Sequence, residues 1–330
     1  MPNSIENLSG IIIGLGSIGN RHLNNLMSLG LSNLNVVRRS SNNNQHFKVP
    51  NQVGVFHDLE TALSQKPDFA VVCNPSHLHA KTAIQCLEAG VNVLIEKPLG
   101  RNTEIAERKL VDLSQKSNLV CAMAYCMRYH AAYLKARDEI ELGTIGRVLY
   151  AKAWFEGYLP DWHPWEDYRQ SYAAIREQGG GVLRTLDHEL DFMNWVLGKA
   201  ESASGNAINT GGIGIEADDL AVYQLNHPKS VTSHITSSFC RKPQTRGFEF
   251  IGDSGTITFC METGILQRTS HAEQNTEVLL TTGSDHINQM YIDLMADFLG
   301  TCLGHSSTKL PTASDGYHAL DCIGKIDPTY

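Results

Sequence analysis

The chain has 330 residues, 42% hydrophobic and 19% charged, and a formal net charge of −8. That length exceeds what one hydrophobic core usually supports, so two domains are expected, and the acidic balance argues against a nucleic acid or an anionic membrane as partner. No apolar run approaches the roughly 20 residues that span a bilayer. Met1 to Leu8 lacks the basic and apolar regions of a signal peptide, so the expected location is the cytoplasm. The eight cysteines form no CxxC pair and read as reduced thiols. Cys73, His77 and His79 are close in sequence but have no second ligand cluster, so no metal is expected.

Gly10 to Gly16 begins as a buried strand, Ile11-Ile12-Ile13, and runs into Gly14-Leu15-Gly16-Ser17-Ile18-Gly19. A helical pattern follows to Gly30 and a second strand spans Leu34 to Val37. This is a G-x-G-x-x-G in the strand–helix–strand setting it needs, where backbone N–H groups can approach a pyrophosphate and the helix N-terminus faces its charge. Gly14, Gly16, Ser17, Ile18 and Gly19 are therefore candidate dinucleotide-binding residues. The second strand ends in Arg38-Arg39-Ser40, without the acid that usually binds the ribose hydroxyls of NAD. Two guanidinium groups and a hydroxyl suit a 2′-phosphate, which favours NADP(H). If an arginine stacks on the adenine instead, NAD(H) remains usable.

After an Asn-rich loop at Ser41 to Gln45, strands are expected at Val53 to Phe56, Phe69 to Cys73, Val91 to Ile95 and Leu119 to Met123. Helices are expected between them, at about Leu59 to Ser64, His77 to Ala89 and Thr103 to Ser117. The alternation predicts a doubly wound parallel sheet. Two of its strands close on Asn74-Pro75 and on Glu96-Lys97-Pro98, and ligands of such sheets bind beyond the carboxyl ends of the strands. Lys97 is delivered at such an end, so it is a candidate catalytic group.

The pattern changes near residue 124. A helix at His130 to Leu142, a strand at Arg147 to Glu156 and an aromatic loop at Tyr158 to Trp165 lead to Gly179-Gly180-Gly181. One helix is expected over Val182 to Leu197. Strand-like runs at Ala217 to Leu225, Ser230 to Ser238, Arg246 to Gly252 and Thr256 to Phe259 imply a mostly antiparallel sheet. Helices near His286 to Cys302 and Ala313 to Lys325 close the chain. The expected architecture is α/β: a Rossmann domain at 1–124 and an α+β domain at 125–330 with an open, mostly antiparallel sheet.

With the glycine loop, Asn74-Pro75, His79-Ala80 and Glu96-Lys97-Pro98 in order, the sequence resembles the Gfo/Idh/MocA oxidoreductases, the glucose–fructose oxidoreductase and inositol dehydrogenase family. Further matches are Arg128 with His130-Ala131-Ala132-Tyr133, Gly143 to Gly146, the triple glycine, His188-x-x-Asp191, Asn288 with Met290-Tyr291, and Asp315-Gly316. The resemblance covers nearly the whole chain. It implies hydride exchange between a nicotinamide cofactor and a secondary alcohol or ketone of a sugar, sugar acid, sugar nucleotide or polyol. It also implies a homodimer or homotetramer formed through the C-terminal sheet.

By the same resemblance Asn74, Pro75, His79, Glu96, Lys97 and Arg128 lie at the cofactor, with Lys97 and His188 handling the proton. Substrate contacts are expected from Lys97, Arg128, Trp162, Arg169, Arg184 and His188, the aromatic loop being suited to stacking on a sugar. One position departs from the pattern. Many relatives carry an acid a turn before the active-site histidine, where this chain has Thr185, a candidate to hold substrate by its hydroxyl. Arg184 beside it suits a carboxylate or phosphate. Asp187 and His188, as neighbours on a helix, are expected to face different sides. The alternatives are a glycosidase that oxidises its substrate transiently with a retained NAD, or a cofactor-sensing member with weakened catalysis. His22, His57, His227, His271, His286, His305 and His318 read as packing or surface residues.

Overall fold

A computed structural model describes residues 4–38, 47–283 and 286–327. Contacts group the chain into two compact units, residues 1–126 with 288–317, and residues 127–287 with 318–330.

The first unit is built on β1 (Gly10–Ile13), α1 (Ser17–Ser28), β2 (Leu34–Val37), β3 (Gly54–Phe56), α2 (Leu59–Ser64), β4 (Phe69–Val72), α3 (His79–Glu88), β5 (Asn92–Ile95), α4 (Ile105–Lys116) and β6 (Cys121–Met123). Its strands form one parallel sheet in the order β3-β2-β1-β4-β5-β6. Every residue of β1 and β4 is buried, as β-branched and aromatic runs between two layers of helices require. The sheet reverses strand order between β1 and β4, where doubly wound sheets open a ligand crevice. Ile13, Val37, Val72, Ile95 and Met123 lie in one row of the ladder. The turns that follow them, including Gly14, Arg38, Asn74 and Lys97, therefore leave from one edge of the sheet.

The second unit begins with α5 (Ala131–Glu141), β7 (Val148–Tyr158), α6 (Val182–Thr185), α7 (His188–Leu197), β8 (Ser202–Ile208), β9 (Leu220–His227) and β10 (Val231–Ser238). It continues through β11 (Cys240–Gly252), β12 (Gly255–Cys260), β13 (Ile265–Ser270) and β14 (Thr276–Thr281). The eight strands are ordered β14-β13-β12-β11-β7-β10-β9-β8, antiparallel throughout except where β10 runs parallel to β7. Its core is aromatic: Tyr133, Phe192, Phe248, Phe250 and Phe259 are fully buried, and the ring of Tyr133 lies 4.4 Å from Phe192 and 4.9 Å from Phe248. Truncating one such ring to Ala costs about 3–5 kcal/mol.

The chain closes with α8 (His286–Cys302) and α9 (Ala313–Ile326). Residues 288–317 belong to the first unit. Phe298 packs edge-on to Phe69 at 6.0 Å, and the N–H of Met123 donates to the carbonyl of Pro311. A single break after residue 124 does not describe this return. Three strands had no counterpart in the sequence reading, namely β8, β13 and β14, and the single helix expected over 182–197 is broken into α6 and α7. Leu186 leaves the helical basin at ψ 40°. Among the described residues no helix is long and apolar enough to cross a membrane.

Candidate active site

In the first unit the glycine loop is shaped by close backbone approach. Gly14 has φ +94°, and a Cβ there would sit 2.7 Å from the carbonyl oxygen of Cys73 and 2.8 Å from the N of Asn74. A Cβ at Gly19 would lie 2.1 Å from the carbonyl oxygen of Gly14, so α1 packs on the loop only with glycine there. No side chain caps α1: Gly16 is its extended N-cap residue, the first turn carries no acid, and a Cβ at Gly16 would meet open space. Ser17 and Ile18, both half-buried, supply the next two N–H groups of that turn. The N-terminal N–H groups, the glycine cradle and the helix dipole together suit a pyrophosphate.

Arg38 follows β2 directly, is half-exposed, and continues the ladder by donating its N–H to the carbonyl of Phe56. A ring nitrogen of His57 lies 3.0 Å from the carbonyl oxygen of Arg38, which puts an imidazole beside the position. Arg39 and Ser40 lie outside the described residues, as does the Ser41 to Gln45 loop. Asn74 is half-buried, Pro75 is exposed, and the Asn74 amide donates to the hydroxyl of Thr82 at 2.8 Å. Its carbonyl oxygen Oδ1 is buried without a hydrogen-bond partner, an acceptor held ready for a ligand donor.

Glu96 and His79, both expected at the cofactor, are turned into the protein. Glu96 Oε1 lies 2.7 Å from Nε2 of His22, and its Oε2 accepts the backbone N–H of Lys97 at 3.1 Å. Burial pushes the Glu96 carboxyl up, but the hydrogen bond and charge of His22, joined by Lys97, hold it below its ordinary value. His79 places Nδ1 2.7 Å from the carbonyl oxygen of Pro98 and Nε2 2.7 Å from that of Asn74. Burial pulls this imidazole below its ordinary value, against the two carbonyls. Lys97 itself is half-buried. Cys73, beneath the loop, is pushed well up by burial and by the Glu96 charge, so it is an inert thiol. Among the described residues no group of three or more His, Cys, Asp or Glu is arranged to hold a metal.

In the second unit the triple glycine leads into a wholly buried run from Gly181 to Leu190. Asp218 caps α6, its carboxylate accepting the N–H of Leu183 and its carbonyl that of Val182. Arg184 and Thr185 are buried on this single turn, at 1% and 3% exposure. Asp187 is the N-cap residue of α7 and is buried together with His188. The break before α7 removes the helical phase that would have separated those neighbours, so the expectation that they face different sides does not apply. Arg128 and Asp191 form a buried bidentate pair, with the Arg128 guanidinium 5.4 Å from the ring centroid of Trp195.

Trp162 stacks on Phe155 at 5.9 Å with the planes 7° apart, and Arg246 covers Phe155 at 4.6 Å while its Nε donates to Glu189. Phe155, Arg246 and Glu189 thus link the aromatic loop to the residue after His188. None of the three was singled out from sequence, where nothing marks an alternate position on β7, a β11 arginine and a helical acid as neighbours. Arg169 is exposed, pairs with Asp167 and lies over the ring of Tyr168. His22 and Thr82 were likewise passed over in the first unit.

The family model described as an oxidoreductase family with an NAD-binding Rossmann fold matches residues 9–125, and the Gfo/Idh/MocA C-terminal domain matches residues 133–258. The chain belongs to the Gfo/Idh/MocA oxidoreductase family. Its members include a levoglucosan dehydrogenase of Pseudarthrobacter phenanthrenivorans, 26% identical over 80% of this chain and 74% of its own. A 1,5-anhydro-D-fructose reductase of Ensifer adhaerens is 28% identical over 58% of this chain and 56% of its own, so the match spans little more than half of that relative. A solved levoglucosan dehydrogenase in complex with NADH and L-sorbose superimposes with a TM-score of 0.84 at 20% identity, covering 98% of this chain and 96% of that one. That likeness concerns the fold, a parallel Rossmann sheet followed by a mostly antiparallel one. The chain is an oxidoreductase of an NAD-binding, sugar-related family whose members include dehydrogenases and reductases.

Proposed function

We propose that this family member oxidises a secondary alcohol of a sugar or sugar derivative, or reduces the corresponding ketone, with Lys97 handling the proton. The observation that carries the proposal is the position of Lys97, the residue after Glu96 at the carboxyl end of β5 on the same sheet edge as the glycine loop. When such an alcohol becomes a ketone, the C–H bond breaks with its electron pair, and a bound nicotinamide would supply the acceptor for that hydride. The hydroxyl proton has to go elsewhere. Lys97 Nζ takes it in its amine form, and returns it as ammonium when a ketone is reduced.

The second unit offers His188 for proton movement, Thr185 for a substrate hydroxyl and Arg184 for a substrate anion, all from one buried run. Trp162 and Arg169 line the aromatic loop and suit a sugar ring and its hydroxyls. In the first unit the uncapped α1, the glycine cradle and the buried Oδ1 of Asn74 fit a dinucleotide. Arg38, with no acid at the end of β2, supports a preference for the 2′-phosphate of NADP(H) over NAD(H).

A panel of levoglucosan, 1,5-anhydro-D-fructose, D-glucosides and sugar nucleotides, each with NAD(H) and NADP(H), tests the reading by absorbance of the reduced cofactor. A change stoichiometric with substrate supports it. Substrate consumed at constant cofactor absorbance would instead identify a hydrolase that retains its cofactor.

A further inference from the structure

Lys97 is fastened on both flanks, and each fastening leads to a buried histidine on a different helix. Its own N–H donates to Glu96 Oε2, and Glu96 Oε1 is held at 2.7 Å by His22 on α1. The carbonyl of the next residue, Pro98, lies 2.7 Å from Nδ1 of His79 on α3. His22 is 0% exposed and His79 2%.

Each histidine is also connected to a dinucleotide loop, His22 through its helix and His79 through its ring. His22 lies on the helix that the glycine loop opens, and Nε2 of His79 meets the carbonyl of Asn74, the turn against which Gly14 packs. Nδ1 of His22 is buried without a hydrogen-bond partner, so the ring's hydrogen bonding is directed at Glu96 through Nε2. Tyr291 seats the ring edge-on at 6.1 Å.

Stability alone accounts poorly for this arrangement. A buried imidazole and carboxylate are costly to desolvate, and apolar side chains of equal volume usually serve a core as well or better. What hydrogen bonds add is direction, and a misplacement of about 1 Å in a catalytic group can cost on the order of 10²-fold in rate.

We propose that His22, through Glu96, and His79, through the Pro98 carbonyl, are positioning residues that hold the Lys97 amine in register with the cofactor loops. The proposal rests on the role of Lys97 proposed above.

The test is a double-mutant cycle. His22→Gln and His79→Gln are each made in the wild-type and in the Lys97→Met background, with kcat measured on a sugar that the panel shows to be turned over and cofactor dissociation constants measured by fluorescence. Each histidine change is expected to lower kcat at least tenfold in the wild-type background, with the cofactor dissociation constant altered by less than threefold. In the Lys97→Met background, where nothing remains to be positioned, the residual turnover should change by less than twofold. An equal fold-loss in both backgrounds overturns the proposal, because a general structural role does not depend on the amine.

If His22→Gln does not fold, Glu96→Gln carries the same cycle, since it keeps the volume but can accept from only one of its two former oxygen positions. If His79→Gln does not fold, His79→Asn carries the cycle for His79. Unchanged turnover in Lys97→Met alone defeats the role of Lys97. Additive losses on top of a disabled Lys97→Met defeat only the histidines.

Discussion

Arg128 grips Asp191 through two parallel hydrogen bonds, from Nε at 2.9 Å and from Nη2, across 63 residues of chain and almost out of contact with solvent. The pair ties the segment that enters α5 to the first turn of α7, where His188 stands. Removing one partner of a buried pair strands the other charge, at a cost of about 3–5 kcal/mol. Arg128→Gln and Asp191→Asn are each expected to lower the unfolding free energy by that amount, measured by denaturant titration. A loss below about 1 kcal/mol, the value of an exposed pair, would contradict this role.

The Glu96 carboxylate gives a pH signature. Its folded value lies below the ordinary 4.5, so its ionised form contributes stability that is fully present above that value and lost as the pH falls through the folded one. Wild type should therefore melt above Glu96→Gln at pH 7, and the gap should close as the pH falls below 4.5. Thermal melts of both proteins across this range measure it. A gap that widens on acidification would mean that the carboxyl is stabilised in its protonated form.

Gly19→Ala probes the loop. The added methyl meets the Gly14 carbonyl at 2.1 Å, so either the loop or α1 must move. Cofactor affinity by fluorescence titration should fall at least tenfold, about 1.4 kcal/mol. Retained affinity would show that the loop does not hold the pyrophosphate.

Arg38→Ala separates the two cofactors. A charge-assisted hydrogen bond to the 2′-phosphate is worth about 1.5–3 kcal/mol, so NADPH binding should weaken at least tenfold while NADH binding changes less than twofold. Equal losses for both would assign Arg38 to the adenine instead.

The parallel sheet was legible in the sequence because its strands are short β-branched runs stopped by turn residues. Leu34–Val37 falls where the pattern put it, and Phe69–Val72 within a residue. The glycine loop was legible for the same reason, being a local motif in a local context. The edge strands β8 and β14 escaped because they face solvent along most of their length, Ser202–Ile208 carrying little apolar alternation. The break before His188 has no punctuating glycine or proline. His22 looked like any histidine on an amphipathic helix, since its meaning depends on a carboxylate 74 residues away. Sequence named candidate groups for the chemistry. It did not name their partners, such as His22 for Glu96, which long-range packing alone brings near.

Lys97 is the centre of the functional account, and Lys97→Met tests it most directly, because Met keeps most of the side chain's length and removes the amine. With a sugar that the wild type turns over, kcat is expected to fall at least a hundredfold, the lower end of what a positioned acid–base group contributes being about 10². The cofactor dissociation constant should stay within threefold of wild type. Turnover within threefold of wild type would contradict a proton-handling Lys97.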